Sequence, residues 1–138
     1  MKTVNPTSVY PVLMSTDVAA ASRFYRQAFG FQPTFESDWY VSLRTDRWEL
    51  AILDAGHETI PEPFRGAGAS GVLVNFEVDD VDAEYERLRN AGHSFPLALR
   101  SEPFGQRHFI VQAPDSVLVD VITQIDPDPE FAAQFLQD

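Results

Sequence analysis

Two stretches of the 138-residue chain carry the same elements in the same order, and this duplication limits the folds it can adopt. Each stretch begins with a strand-like run, at residues 9–14 and again at 71–80. A helix follows each run, with Asp17 or Asp80 as its N-cap, and these caps are 63 positions apart in the sequence. Because repeated sequence units usually form the same supersecondary structure, we predict two copies of one strand–helix–strands module.

Further strand patterns complete each copy and define the predicted organisation. They lie at residues 39–44 and 48–53 in the first copy, and at 107–111 and 117–123 in the second. We predict a single domain over residues 1–138. It would consist of module one at about 7–56, a linker rich in Pro, Gly and Ala at about 57–70, module two at about 71–125 and a helical tail at 126–138.

Charge and cysteine content exclude several classes of function. The net charge of −11 argues against a nucleic-acid partner, because binding to phosphates needs a basic surface. The chain has no cysteine, so disulfides, zinc–thiolate sites and thiol nucleophiles are excluded. No apolar run approaches the length of a membrane span, and no signal-peptide pattern is seen. We therefore expect a cytoplasmic protein without a membrane or nucleic-acid partner.

The last predicted strand contains one carboxylate, Asp120, among aliphatic residues. Strand side chains alternate between two faces, so Leu118, Asp120 and Ile122 share one face. A buried carboxylate without a partner costs several kcal/mol. We therefore expect Asp120 either to contact a ligand or to hydrogen-bond a neighbour such as Tyr10 or Arg44.

The same alternation gives the other strands one apolar face, suited to cover by a helix, and one mixed face. Mixed faces on several strands suggest that the second side of each sheet curves around a ligand cavity. His108 is interpreted either as a ligand contact or general base, or as a structural histidine. Besides Asp120, the candidate ligand-binding residues on these faces are Tyr10, Tyr40, Glu49, Asn75 and His108.

Three segments of the chain resemble the signatures of the vicinal oxygen chelate superfamily. They are STDVAAASRFYRQAFGF, NFEVDDVDAEYERLRNAG and EPFGQRHFIVQAPDSVLVDVI, and the resemblance spans roughly residues 7–125. This superfamily includes glyoxalase I, extradiol dioxygenases, and fosfomycin- and bleomycin-resistance proteins. The resemblance implies an α+β fold of two βαβββ modules that form an incomplete barrel around a cleft, commonly in a homodimer. It also implies that Phe104 lines the mouth of the cleft.

The metal-binding positions of the superfamily are poorly matched in this sequence. The two histidine positions fall on Tyr10 and Leu73, and the glutamate position falls on Asp120. The remaining position falls on Glu49 or Ala51, which the alternation cannot separate. Leucine has no ligand atom, and a divalent ion needs several well-placed protein ligands. We therefore predict no metal and no cofactor.

The function that we expect is metal-free binding of a small molecule, in a homodimer of the glyoxalase/bleomycin-resistance type. Sequestration of a cationic or aromatic antibiotic fits the acidic balance and the aromatic candidates. The alternative is a lyase, isomerase or dioxygenase with an atypical metal site, or a metal-free enzyme in which Asp120 and His108 exchange protons. A third interpretation is a domain that binds a metabolite without a role in resistance.

Overall fold

The computed structural model describes residues 4–136, which divide into two compact units at Ser70 and Gly71. Residues 1–3 and 137–138 of the predicted domain lie outside this part. The first unit contains β1 (Val12–Ser15), α1 (Val18–Phe29), β2 (Gln32–Glu36), β3 (Tyr40–Thr45) and β4 (Trp48–Asp54). The second contains β5 (Leu73–Glu77), α2 (Val81–Asn90), β6 (Leu97–Glu102), β7 (Gln106–Gln112), β8 (Leu118–Gln124) and the short α3 (Pro129–Ala132).

The two units have the same sheet topology. The strand orders are β1-β4-β3-β2 and β5-β8-β7-β6, and each is an open sheet of four strands. In both, the first and last strands of the module pair in parallel and the other neighbours are antiparallel. The predicted duplication and the α+β class with two βαβββ modules are therefore confirmed. The assignment of residues 1–138 to a single domain stays a prediction.

The two long helices begin at equivalent caps. The Asp17 carboxylate accepts a hydrogen bond from the Ala20 N–H at 3.0 Å, and Asp80 accepts one from the Ala83 N–H at 3.1 Å. Each bond satisfies an N–H that has no partner inside the helix. At the end of α1, Gly30 adopts a φ of 71°, a left-handed conformation that glycine takes without steric cost.

Each helix covers one face of its own sheet. Helix α1 packs on β3 and β4, and α2 packs on β7 and β8. In the second unit, Leu88 of α2 and Phe109 of β7 are fully buried, and Tyr85, Phe95 and Phe109 form a cluster of aromatic rings. Because strand side chains alternate, this packing leaves the opposite face of each sheet for polar groups.

Two edge strands, β2 and β6, were not among the predicted strands. Neither shows a clear alternation of apolar and polar residues, and most of β2 is exposed. The pairing register also shifts within both strands, between Pro33 and Phe35 in β2 and between Leu97 and Arg100 in β6. Such irregularities are typical of sheet edges and disrupt the period of two by which strands are recognised in a sequence.

The first strand is shorter than predicted, and Tyr10 is not part of it. Strand β1 begins at Val12 rather than at residue 9. Pro11 has no N–H to donate to a neighbouring strand, although its carbonyl accepts a hydrogen bond from Ala51 at 3.0 Å. Tyr10 therefore precedes the sheet, and 46% of its surface is exposed.

The segment after β8 contains only a short helix. Asp128 and Pro129 stand at its N-cap and first position, but α3 is only four residues long. The backbone N–H of Asp128 donates to the carbonyl of Pro103 at 2.8 Å, and the ring of Phe131 lies 6.4 Å from that of Phe104. No helix among residues 4–136 is long and apolar enough to cross a membrane.

We predict that Asp80→Ala lowers the free energy of unfolding by about 1 kcal/mol, because it removes the cap of α2. The matched control is Asp79→Ala, which removes a neighbouring carboxylate without a cap hydrogen bond. Urea unfolding followed by circular dichroism measures both. Equal destabilisation by the two changes would contradict the role of Asp80 as the cap.

Candidate functional site

We call the face of each sheet that its helix does not cover the uncovered face. In the second sheet this face carries polar side chains that alternation had predicted there. His108 of β7 pairs with Ile122 of β8, and Asp120 of β8 lies between Asn75 of β5 and Ile110 of β7. The neighbouring Phe109 and Val121 point to α2 and are fully buried. His108 and Asp120 are therefore diagonal neighbours on the face away from the helix.

His108 is hydrogen-bonded between two carboxylates. Its Nδ1 lies 2.8 Å from Oδ1 of Asp120, and its Nε2 lies 2.8 Å from Oε2 of Glu102. The same oxygen of Glu102 accepts a hydrogen bond from Nε of Arg100 at 2.6 Å. Only 6% of His108 and 5% of Asp120 is exposed, so water does not compete strongly for their bonds. We call Arg100, Glu102, His108 and Asp120 the histidine network.

The strand register explains how the chain assembles this network. Arg100 of β6 lies directly opposite His108 of β7. Glu102 ends β6 just before the turn into β7, and Gly105 in that turn has a φ of 109°. A side chain at Gly105 would approach the carbonyl oxygen of Ile125 to 3.1 Å, so the turn needs glycine there.

The network changes the acidity of its members. Burial alone lowers the pKa of His108, but the hydrogen bonds and charges of Glu102 and Asp120 outweigh burial and raise it. The hydrogen bonds from His108 and Arg100 lower the pKa of Glu102, which is the reciprocal effect. Burial raises the pKa of Asp120, and the bond to His108 offsets only part of this rise. An imidazolium, with an N–H on each ring nitrogen, matches the two carboxylate acceptors.

His108 is therefore the hydrogen-bond partner that the buried Asp120 requires. The interpretation of Asp120 as the hydrogen-bond partner of a neighbour therefore applies, but the neighbour is His108 rather than the examples Tyr10 and Arg44. Arg44 pairs with Glu49 at 3.5 Å, and Tyr10 lies before the first strand. Alternation in the sequence had placed His108 and Asp120 on one face, but it did not show that they touch.

The uncovered face of the first sheet carries more aromatic side chains than that of the second sheet. Tyr40 and Glu49 both lie on this face, as predicted from alternation. The ring of Tyr40 lies 6.1 Å from that of Phe35, which is 53% exposed. Glu49 keeps only a long ion pair with Arg44, so this carboxylate remains available to a ligand.

The remaining candidates are accessible but lie outside the histidine network. Asn75 is exposed on β5, beside Asp120 in the parallel register. Phe104 is 41% exposed. Its ring lies edge-to-face with the ring of His108, with 6.2 Å between the ring centroids. Tyr10 is exposed ahead of β1. The structure thus brings together His108, Asp120 and Phe104, with Asn75 as a neighbour on the same sheet.

The side chains present do not fit the metal that the superfamily resemblance implies. The register resolves the open choice between Glu49 and Ala51. Val12 and Asn75 are equivalent positions, because they are 63 residues apart like the two helix caps. Val12 pairs with Ala51 and Asn75 pairs with Asp120, so Ala51 is the counterpart of Asp120. Ala51 and Leu73 have no side-chain ligand atom, and both ring nitrogens of His108 already face carboxylates. Within residues 4–136, no group of three or more His, Cys, Asp or Glu side chains is placed to hold a metal ion.

Sequence reasoning missed two members of the network, Glu102 and Arg100. Both belong to β6, whose pairing shifts between Leu97 and Arg100, so alternation assigned them to no face. The segment EPFGQ had drawn attention only to Phe104. The available signal was the spacing of Arg100 and Glu102, because residues two positions apart on a strand lie on the same face.

A family model described as the Glyoxalase/Bleomycin resistance protein/Dioxygenase superfamily matches residues 7–121. The uncharacterised protein Mb0911c of Mycobacterium bovis is 28% identical over 116 residues, which cover 75% of this chain and 74% of that protein.

Solved structures share the fold at low sequence identity. A glyoxalase/bleomycin resistance protein/dioxygenase from Nocardioides has a TM-score of 0.76 at 20% identity, covering 93% of this chain and 90% of its own. Lactoylglutathione lyase from Agrobacterium tumefaciens has a TM-score of 0.69 at 23% identity, covering 86% and 94%. TioX from Micromonospora sp. ML1 has a TM-score of 0.69 at 22% identity, covering 87% and 100%. At these identities the likeness shows the fold alone.

We predict that His108 titrates at a higher pH than His93, whose pKa is lowered by burial and by the charge of Arg87. Because the folded pKa of His108 is raised, its stabilising contribution is complete below the ordinary histidine pKa of about 6.5 and is lost as pH rises through the raised value. Imidazole resonances followed by NMR during a pH titration measure the order of the two histidines.

The free energy of unfolding gives a second readout. In His108→Gln, the decrease in stability as pH rises through this range should disappear, whereas His93→Gln should retain it. An unchanged pH dependence in His108→Gln, or a His108 pKa below that of His93, would contradict the charged network.

Proposed function

Since the chain belongs to the glyoxalase/bleomycin resistance protein/dioxygenase superfamily, we propose that it binds a small cationic aromatic molecule without a metal and without catalysis. The observation that carries the proposal is the geometry of His108, which uses both ring nitrogens on Asp120 and Glu102. The carboxylate at the superfamily's metal position is thereby engaged in a hydrogen bond, and its counterpart in the first unit is Ala51.

Charge on the uncovered faces supports a cationic ligand. Glu77 is exposed on β5, and its side-chain partner is the neutral amide of Gln124, so its negative charge is not compensated there. Glu49 adds a carboxylate on the first sheet, and the net charge of −11 attracts cations from a distance.

Aromatic side chains on the same faces support a flat ligand. Phe35 and Tyr40 form a ring pair on the first sheet, and Phe104 lies beside His108 on the second. A cation over such a ring gains ~0.5–2 kcal/mol, more when water is excluded. Each of the two faces thus offers a carboxylate and an aromatic ring to a planar cation: Glu49 and Tyr40 on the first sheet, Glu77 and Phe104 on the second.

Three further parts of the proposal have other grounds. The homodimer rests on the superfamily resemblance, sequestration of an antibiotic rests on that resemblance and on the acidic balance, and the cytoplasmic location is the expectation from the sequence. The ligand-binding residues that we propose are Tyr10, Tyr40, Glu49, Asn75, Phe104, His108 and Asp120.

The histidine network favours one alternative, a metal-free enzyme. Asp120 and His108 share a hydrogen bond of 2.8 Å, and a histidine oriented by a carboxylate is a common general base. In this chain, however, Glu102 occupies the second ring nitrogen, which a substrate proton would need. We therefore favour binding over catalysis as the function of this protein.

We predict that the purified protein retains no stoichiometric metal. Untagged protein, prepared without chelator, would be equilibrated with zinc, nickel, manganese and iron(II) in turn, and the bound metal measured per chain. Near-stoichiometric retention of any ion that is lost in Asp120→Ala would overturn the proposal. Circular dichroism of that variant, compared with the original chain, controls for loss of folding.

We also predict that proflavine, a planar cation, binds at least about tenfold more tightly than acridone, its uncharged analogue, because a charged contact is lost. Quenching of tryptophan and tyrosine fluorescence measures both, since Trp39 lies 5.8 Å from Tyr40. Glu77→Gln should weaken the binding of proflavine several-fold, and Tyr40→Ala should weaken the binding of both dyes.

The control for Glu77→Gln is Glu58→Gln, which makes the same change of charge in an exposed turn outside the strands. Equal effects of these two changes would mean that only net charge attracts the dye. That result, or no quenching by either dye, would contradict a binding site on these faces.

A further inference from the structure

The first unit contains a cavity on the side of the sheet that the helix covers. Its volume is about 610 Å³, within the range of small-molecule sites. One wall is the face of α1 between Val18 and Gln27, and the other is formed by Gln32, Glu36, the turn after it and Val41. Val41 points to the helix, whereas Tyr40 points to the uncovered face. The cavity is therefore distinct from the proposed dye-binding face.

Arg23 gives this cavity an uncompensated positive charge. The chain has nine arginines, all within residues 4–136. Six of them form ion pairs, Arg65 donates to backbone carbonyls and Arg47 lies over the ring of Trp48. Arg23 alone has no hydrogen bond, ion pair or ring contact with the described residues, and it lines the cavity. A free guanidinium in a concave site is suited to bind a carboxylate through two parallel hydrogen bonds.

Asp38 supplies the opposite charge across the same cavity. Its carboxylate also has no partner among the described residues, and it forms no ion pair with Arg23. The other two charged side chains in the lining, Arg26 and Glu36, pair with each other at 3.4 Å. One cation and one anion of the lining thus remain without an ion-pair partner among the described residues.

The rest of the lining suits a ligand with an apolar body. Val18, Ala19 and Val41 supply apolar surface between the charged groups. Ser22 lies in the same wall with only 4% of its surface exposed, and its hydroxyl has no hydrogen-bond partner among residues 4–136. A buried hydroxyl without a partner is unfavourable, so a small rotation of Ser22 toward a bound polar group would be stabilising.

From this arrangement we propose that the cavity binds an α-amino acid with an apolar side chain. The carboxylate pairs with Arg23, the ammonium pairs with Asp38, and the side chain packs against Val18 and Val41. Both charged side chains are exposed and can adjust to the length of the zwitterion. This second site does not depend on the proposed binding of cationic aromatic molecules on the other face.

The experiment is a titration of the full chain with L-leucine and L-phenylalanine, followed by amide nitrogen–proton correlation spectra. We expect affinities in the millimolar range or tighter, with shifts concentrated in α1 and around Ser37 and Asp38. Two probes that each keep one charge of leucine are 4-methylpentanoate and 3-methylbutylamine. Each should bind at least about tenfold more weakly than leucine, because one charged contact is lost.

Two pairs of variants test the assignment. Arg23→Gln and Asp38→Asn should each weaken leucine binding by about tenfold or more. The controls Arg89→Gln and Asp46→Asn make the same changes of charge at residues that do not line the cavity and should leave binding unchanged. The proposal is overturned if neither amino acid shifts these resonances, if the single-charge probes bind as well as leucine, or if the controls weaken binding equally. Glu77→Gln should not alter leucine binding, so failure here is separable from failure of dye binding.

Discussion

The hydrogen bonds of His108 to Asp120 and Glu102 determine most of what the second sheet can do. They join three strands, since Glu102 ends β6, His108 lies in β7 and Asp120 lies in β8. A buried carboxylate needs such a partner, and a histidine with two carboxylate partners is held in one orientation. The same bonds occupy both ring nitrogens of His108, so neither is available to a metal. One structural requirement, the pairing of Asp120, therefore also limits the chemistry of the site.

The two modules share a topology but have diverged at equivalent positions. Ala51 is the counterpart of Asp120, because their parallel partners Val12 and Asn75 are 63 residues apart, like the two helix caps. Tyr40 pairs with Leu53, two positions after Ala51, and His108 pairs with Ile122, two positions after Asp120. The position of the histidine is thus occupied by tyrosine in the first unit. A charged network in one sheet corresponds to an aromatic and apolar surface in the other.

Alternation along regular strands was enough to predict that His108 and Asp120 share a face, because both lie in strands without bulges. It failed where the backbone departs from a regular strand. Strand β1 begins only after Pro11, so Tyr10 lies outside it, and Glu102 was missed because the irregular edge strand β6 was not predicted. The helix caps and the duplication were predicted because they depend on local hydrogen bonds and on sequence order. Contacts between side chains on different strands depend on the pairing register, which the sequence pattern alone does not predict.

Local pairing of charges, rather than the net charge, distinguishes the surfaces of this protein. A charge of −11 would suggest that every surface favours cations. Yet the arginines are almost all committed to carboxylates, carbonyls or rings, so the chemistry of each surface depends on which charged groups there lack a counter-ion. On the uncovered face of the second sheet the unpaired charge is the carboxylate of Glu77, which favours a cation. In the cavity beside α1 the unpaired charges are Arg23 and Asp38, which together favour a zwitterion. The two surfaces, one in each unit, can therefore favour ligands of different charge, because different unpaired groups lie on them.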